Sequence, residues 1–114
     1  MKILINPKNL TPDNSWQRFR KVRAIIENEL GCFAISIEGG KCIFPGGKCD
    51  QNEDELLAIQ REIKEETGIV LELSDFQKIL ELETMYDDAF DYRTSTIRPR
   101  ILLLHIITLK LIKR

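Results

Sequence analysis

Cysteine is scarce and unpatterned here. Cys32, Cys42 and Cys49 are odd in number and show no CxxC spacing, which excludes a disulfide framework and a zinc knuckle. Each reads as a small apolar filler or a free thiol in a reducing compartment. Histidine occurs once, as His105 inside an apolar run, where a buried sheet histidine is the plain reading. Tryptophan also occurs once, and Trp16 with Phe19 reads as cover for the core or as a stacking surface. Charge of one sign is missing too. A formal net charge of −1 gives no general attraction for a nucleic-acid polymer or an anionic membrane. No apolar run can span a bilayer, since the longest, residues 101 to 112, is broken by His105, Thr108 and Lys110. The opening Met1-Lys2-Ile3-Leu4-Ile5-Asn6-Pro7 is too short for a signal peptide.

What is left is a cytoplasmic enzyme or binding domain. A chain of 114 residues has room for one domain with one core. Repeats, low-complexity tracts and linkers are absent. Basic residues gather at Arg18, Arg20, Lys21 and Arg23, and again at Arg93, Arg98 and Arg100. These read as solvated strand faces or as helpers for an anionic ligand.

Along the chain, residues 3 to 5 predict a short strand and 6 to 15 a loop. Residues 22 to 27 and 32 to 37 predict a hairpin around 28 to 31. Gly39-Gly40 turns into a brief strand, 41 to 44, which Pro45-Gly46-Gly47 is expected to stop. Residues 52 to 67 form the clear helix, with Asn52 as N-cap, Glu55 as its capping-box partner and Gly68 as terminator. Leu56, Ile59 and Ile63 give it an apolar stripe. Strands are expected at 69 to 73, 77 to 85 and 101 to 112, with a polar loop at 87 to 96. Strands around one strong helix imply an α+β or α/β domain with a mixed sheet.

The helix carries the chemistry. At about 100° per residue, Glu62, Glu65 and Glu66 fall within roughly a third of its circumference, with Glu55 on the same side. Like charges at these spacings repel by a few tenths of a kcal/mol per pair, and a divalent cation reverses that sign. Hard oxygen ligands on a rigid helix suit Mg²⁺ or Mn²⁺. Gly46-Gly47 lets the backbone turn tightly and offer a carbonyl near a bound ion. Arg61 is able to hold a carboxylate by a bidentate pair. A solvated acidic helix face is the bland alternative.

The segment from Gly47 to Ile69 resembles the box of the Nudix family: a glycine, five residues, Glu, seven residues, then Arg-Glu-hydrophobic-x-Glu-Glu-x-Gly-hydrophobic. Gly47, Glu53, Arg61, Glu62, Ile63, Glu65, Glu66, Gly68 and Ile69 occupy those positions without a departure. Phe44-Pro45-Gly46-Gly47 looks like the family's Leu-Pro-Gly-Gly entry, and Ala58 stands where a small residue packs the helix on the sheet. The resemblance covers about residues 20 to 112. It implies an α+β domain of α/β/α sandwich type over residues 1–114, with 1–19 as an N-terminal extension and 47–69 as the box.

The resemblance also implies a Mg²⁺-dependent pyrophosphohydrolase, with Mn²⁺ as the other candidate ion, acting on a small-molecule nucleoside diphosphate linked to another moiety. Glu62, Glu65 and Glu66 would bind the metal together with the Gly47 carbonyl. Glu53 would support the metal site or its water, Arg61 would orient the glutamates, and Glu62 would be the general base. Members often take a further acidic group from beyond the box, for which Glu81, Glu83, Asp87, Asp88 and Asp91 are candidates. Tyr86 lies about where dinucleoside-polyphosphate-cleaving members carry a base-stacking tyrosine; a partly buried structural tyrosine is the alternative. The post-box proline of ADP-ribose-cleaving members is missing, the next proline being Pro99. The family usually adds a strand and a closing helix after a strand like 101 to 112, whereas this sequence ends at Arg114. An uncovered sheet face and a homodimer are the expectation. A nucleotide-binding regulatory module and an inactive truncated relative are the rival readings.

Overall fold

The computed structural model describes residues 1–91 and 95–110; Arg93 and the end of the last expected strand, residues 111 and 112, lie outside them. Five strands form the main sheet in the order β1-β6-β7-β2-β5. They are β1 (Lys2–Ile5), β2 (Gln17–Glu27), β5 (Gly46–Lys48), β6 (Phe76–Asp91) and β7 (Thr96–Lys110), and β3 (Ser36–Glu38) with β4 (Lys41–Ile43) makes a separate ribbon. β1 runs parallel to β6 and β2 parallel to β7, while β6–β7 and β2–β5 are antiparallel. The sheet is therefore mixed, as expected.

One face of the sheet is covered by α1 (Glu55–Thr67). Alternate residues of a strand share a face, so Val22, Ala24 and Ile26 of β2 join Ile107 of β7 under the helix residues Ala58, Ile59 and Ile63. Cys49, Leu71 and Phe76 complete this core. Burying an Ile of this kind contributes about 1.5–3 kcal/mol, and Ile59 and Ile63 are 0% and 1% exposed. The expected apolar stripe and the small Ala58 thus dock the helix. Gly68 terminates it in a left-handed conformation, φ 77°, with its N–H on the Lys64 carbonyl at 2.8 Å.

The helix starts later than expected. Asp54, not Asn52, is the N-cap and accepts the N–H groups of Leu56 and Leu57. Asn52 stands at φ 62° inside a turn closed by Glu53 N–H on the Asp50 carbonyl, 3.1 Å. Asn tolerates that left-handed conformation, and the turn takes residues 50–53 out of the helix.

Four strand expectations change as well. Pro45 does end β4, but Gly46 opens β5 at once, because glycine can approach β2 where nothing else can. A Cβ on Gly46, φ +150°, would lie 2.0 Å from the Val22 carbonyl oxygen. Residues 69–73 are not a strand: no partner pairs with them, Ile69 and Val70 are exposed, and the segment is pinned at Leu71, whose carbonyl accepts the Gln60 amide at 2.6 Å. Residues 32–37 contribute one bridge, Glu27↔Phe33, before β3 turns away through Gly39-Gly40 to pair with β4. Finally, the polar stretch expected as a loop at 87–96 extends the β6–β7 hairpin, with Ala89↔Arg98 and Asp91↔Thr96 paired beyond a bulge after Tyr86. Polarity there reports exposure, and the backbone pairing is set by the partner strand.

Candidate metal centre

The loop between β5 and α1 and the exposed side of α1 bring the box residues together around Arg61. Its Nε and Nη2 donate to the two carboxylate oxygens of Glu53, each at 2.9 Å. Nη1 reaches Glu62 at 3.1 Å and Glu65 at 3.3 Å, and Nη2 also donates to the Lys48 carbonyl at 3.2 Å. One guanidinium therefore ties the loop to the helix. Bidentate pairing of this kind is strong and directional. It holds the Glu53 carboxyl down at about 2, against the opposing effect of burial, and raises Arg61 further above its already high value. Glu53 also accepts the Asp50 N–H at 3.0 Å.

Glu62 lies against the glycine loop. A Cβ on Gly47 would fall 2.6 to 2.8 Å from the Glu62 carboxylate atoms, so the space a side chain would fill at residue 47 holds an anionic oxygen pair. One turn on, the Glu66 carboxyl is raised above its ordinary range. Partial withdrawal from water is the main cause, opposed by the Gly46 N–H it accepts; Glu62 and Glu38 add repulsion, and Arg23 pulls the other way. Glu62 and Glu66 thus share the neighbourhood of Gly46-Gly47. Glu65 does not join them: it is exposed and sits on Arg61. Among the described residues no three His, Cys, Asp or Glu side chains stand close enough to enclose an ion. The donor set still fits Mg²⁺, since two carboxylates and a loop carbonyl are hard oxygens and the room beside Gly47 is a cradle a Cβ would close.

Glu55 turns away from this group, contrary to the helical projection. The later helix start rotates it beneath α1, where its carboxylate oxygens lie 3.3 Å from His105 Nε2 and 3.9 Å from both Arg20 and Lys78. His105 is buried and its Nδ1 faces Glu81 at 3.4 Å. Burial pushes the imidazole below its ordinary range, against the pull of both glutamates. Arg20 also donates to the carbonyls of Glu53 at 2.7 Å and Asp50 at 3.2 Å. Arg20, Glu55 and His105 thus fasten the start of the box to the sheet. Nothing in the motif's spacing reveals this, because the partners sit on β2, α1 and β7.

The acidic candidates beyond the box are scattered. Glu81 is engaged by His105 and Lys2, and Asp87 by Lys8 at 3.0 Å. Asp88 is exposed, and the Asp91 side chain lies outside the described part. Glu83 lines an open groove of about 1280 Å³ with Arg18, Arg20, Leu103 and the loop 48–54, which none of Gly47, Glu62, Glu65 and Glu66 borders. Tyr86 stands on β6 opposite Arg100, three strands away from β5.

The model of the NUDIX domain matches residues 17–110. The chain belongs to the Nudix family. Among curated protein sequences none matches. Solved structures do: a MutT from work on Aliivibrio salmonicida and Vibrio cholerae is 26% identical with a TM-score of 0.54, covering 82% of this chain and 65% of its own. The MutT protein of Bacillus halodurans is 22% identical with a TM-score of 0.56, covering 79% and 56%, and that of Methanosarcina mazei 21% with a TM-score of 0.51, covering 90% and 70%. The chain therefore spans less than two thirds of the first two. In Nudix terms, the box forms the β5–loop–α1 unit, and its Arg61 is the residue around which the acidic side chains are arranged.

Proposed function

We propose that this chain is a Mg²⁺-dependent Nudix pyrophosphohydrolase that cleaves the diphosphate of a nucleoside diphosphate linked to another moiety. The observation that carries this reading is the placement of the Glu62 carboxylate in the space beside Gly47, with Glu66 one turn away. Glu62, Glu66 and the Gly47 carbonyl would hold the ion, with Glu65 as the further carboxylate of the set; Mn²⁺ is the alternative ion. When bound, Mg²⁺ neutralises charge on the diphosphate and acidifies the attacking water. Glu62 is assigned the proton from that water, within the reach of a general base. Glu53 is assigned a positioning role: a carboxyl held near 2 by Arg61 is too weak a base at neutral pH, and what it does is fix the guanidinium that orients Glu62 and Glu65. Tyr86 is assigned to the substrate's outer part, since it stands well away from the glutamates.

Three free cysteines and the lack of any helix among the described residues long and apolar enough to cross a membrane accompany a cytoplasmic assignment. A homodimer through the sheet face opposite α1 belongs to the same proposal. The test is incubation of pure protein with Mg²⁺ and a panel of nucleoside triphosphates, nucleoside diphosphate sugars, ADP-ribose and dinucleoside polyphosphates. Turnover that Glu66→Gln lowers by about 10³-fold or more supports the reading. Tight binding without turnover of any compound sinks it in favour of a nucleotide-binding module.

A further inference from the structure

The sheet face opposite α1 carries a row of cations beside the proposed centre. Cα partners share a face of the sheet, and Lys21 pairs with Lys48 while Arg23 pairs with Gly46. Phe19, two residues before Lys21, lies on that face with its ring between Lys48 Nζ at 4.5 Å and the Arg100 guanidinium carbon at 4.4 Å. Arg23, Lys21, Lys48 and Arg100 thus follow one another down β2 and its neighbours. Arg23 donates to the Phe44 carbonyl at 3.3 Å, and none of the four has a carboxylate partner among the described residues. The Arg100 Nε is buried without any hydrogen-bond partner, although a guanidinium N–H normally finds one. Gathering unpaired cations on one half-buried strip is unfavourable unless an anion lies along it.

The strip has a direction. It begins at Arg23, next to Glu66, and the four residues from Arg23 to Phe19 cover about 13 Å of strand. Phosphates that extended no further than the glycine loop would engage its head and leave Lys48 and Arg100 unused. We infer that the strip formed by Arg23, Lys21, Lys48 and Arg100 along Phe19 is a binding site for a polyphosphate chain of three or more phosphates. This rests on the proposed hydrolase reading. It narrows the substrate class to nucleotides with at least a triphosphate, over those whose diphosphate joins an uncharged group. Phe19 serves as the apolar floor that keeps the two cations apart and aligned.

The experiment separates binding from turnover. Calorimetric titration with inorganic tripolyphosphate and with pyrophosphate, in EDTA, reads the strip without metal or chemistry. The expected result is at least tenfold tighter binding of tripolyphosphate. Arg100→Gln and Lys48→Gln should each weaken it about fivefold or more and reduce its salt dependence, and pyrophosphate binding should change less than twofold. Lys64→Gln, on the exposed side of α1, is the control for loose attraction to lysine. Equal affinity for the two anions, an equal effect of Lys64→Gln, or displacement of tripolyphosphate by an oligonucleotide lacking terminal phosphates with matching affinity would overturn the inference. Should Arg100→Gln fail to fold, Lys48→Gln decides alone, being exposed. If no compound is turned over yet tripolyphosphate binds selectively, the hydrolase reading fails and the strip stands. If turnover occurs with no selectivity between the two anions, the reverse holds.

Discussion

Gly46 and Gly47 are neighbours that need to be glycine for different reasons, and substitution tells the reasons apart. A Cβ at Gly46 meets the backbone of Val22 and Arg23, at φ +150°; neither can yield without unzipping β5 from β2. Gly46→Ala is therefore expected to cost about 2–4 kcal/mol, within the range of backbone strain and overpacking, seen as a lowered midpoint in a denaturant melt followed by circular dichroism. At Gly47 the Cβ meets only the Glu62 carboxylate, the end of a flexible side chain. Gly47→Ala should leave the melt within about 1 kcal/mol while displacing Glu62, so that Mg²⁺-dependent turnover falls by an order of magnitude or more. A variant that keeps full turnover would remove Glu62 from the proposed chemistry.

Arg61 and Glu53 give a pH signature. Glu53 titrates near 2 in the folded protein against an ordinary 4.5. A depressed carboxyl contributes stability that is fully present above the unfolded value and is lost as pH falls from about 4.5 toward 2. Arg61→Met removes the cause. The wild type should therefore lose more stability than Arg61→Met between pH 5 and pH 2.5, and the two curves should run closer together in acid than at neutral pH. Parallel curves would mean that the bidentate pair is not formed in solution.

At the scale of elements, the β5–loop–α1 unit was legible from one stretch of sequence because each of its parts is local. The glycines, apolar stripe and helix terminator act within a few residues of themselves. The helix start was not legible, since Asn52 with Glu55 satisfies the same spacing rule that Asp54 satisfies with its own backbone contacts. What decides between them is the turn at residues 50–53 and the buried group formed by Arg20, Glu55 and His105, whose members come from three elements. The same reason explains the β6–β7 arm: residues 87–91 are polar, and only the partner strand makes them extended. Capping offers a direct check. Asp54→Ala should destabilise the fold by about 1 kcal/mol, as loss of an N-cap does. Asn52→Gly should be neutral or slightly stabilising, because glycine accepts φ 62° without strain. If Asn52→Ala proved far more costly to stability than Asp54→Ala, the helix would begin where the sequence alone placed it.

Across the whole molecule the face of the sheet opposite α1 is divided lengthwise. Its β2–β5 side carries the cations, and its β7–β6–β1 side carries Leu82, Leu104, Ile106 and Ile3, on strands joined by the Leu82↔Leu104 and Ile3↔Leu82 pairs. Among the described residues no helix covers it; α1 lies on the other face. Apolar area removed from water contributes about 25 cal/mol per Å², and a stable interface needs about 800 Å² from each partner, which favours a second copy docking on the apolar half. Cations facing cations across a two-fold axis would repel, so the contact should centre on β6 and β7 and leave the cationic half open. Sedimentation at 1 to 100 µM should then show a dimer that dissociates on dilution. Leu104→Glu should be monomeric throughout, with the core under α1 intact by circular dichroism. Saturating tripolyphosphate should leave the association unchanged, because the two halves of the face are separate. A wild-type chain that is monomeric at 100 µM would rule the dimer out, and a dimer dissolved by tripolyphosphate would place the contact on the cationic half instead.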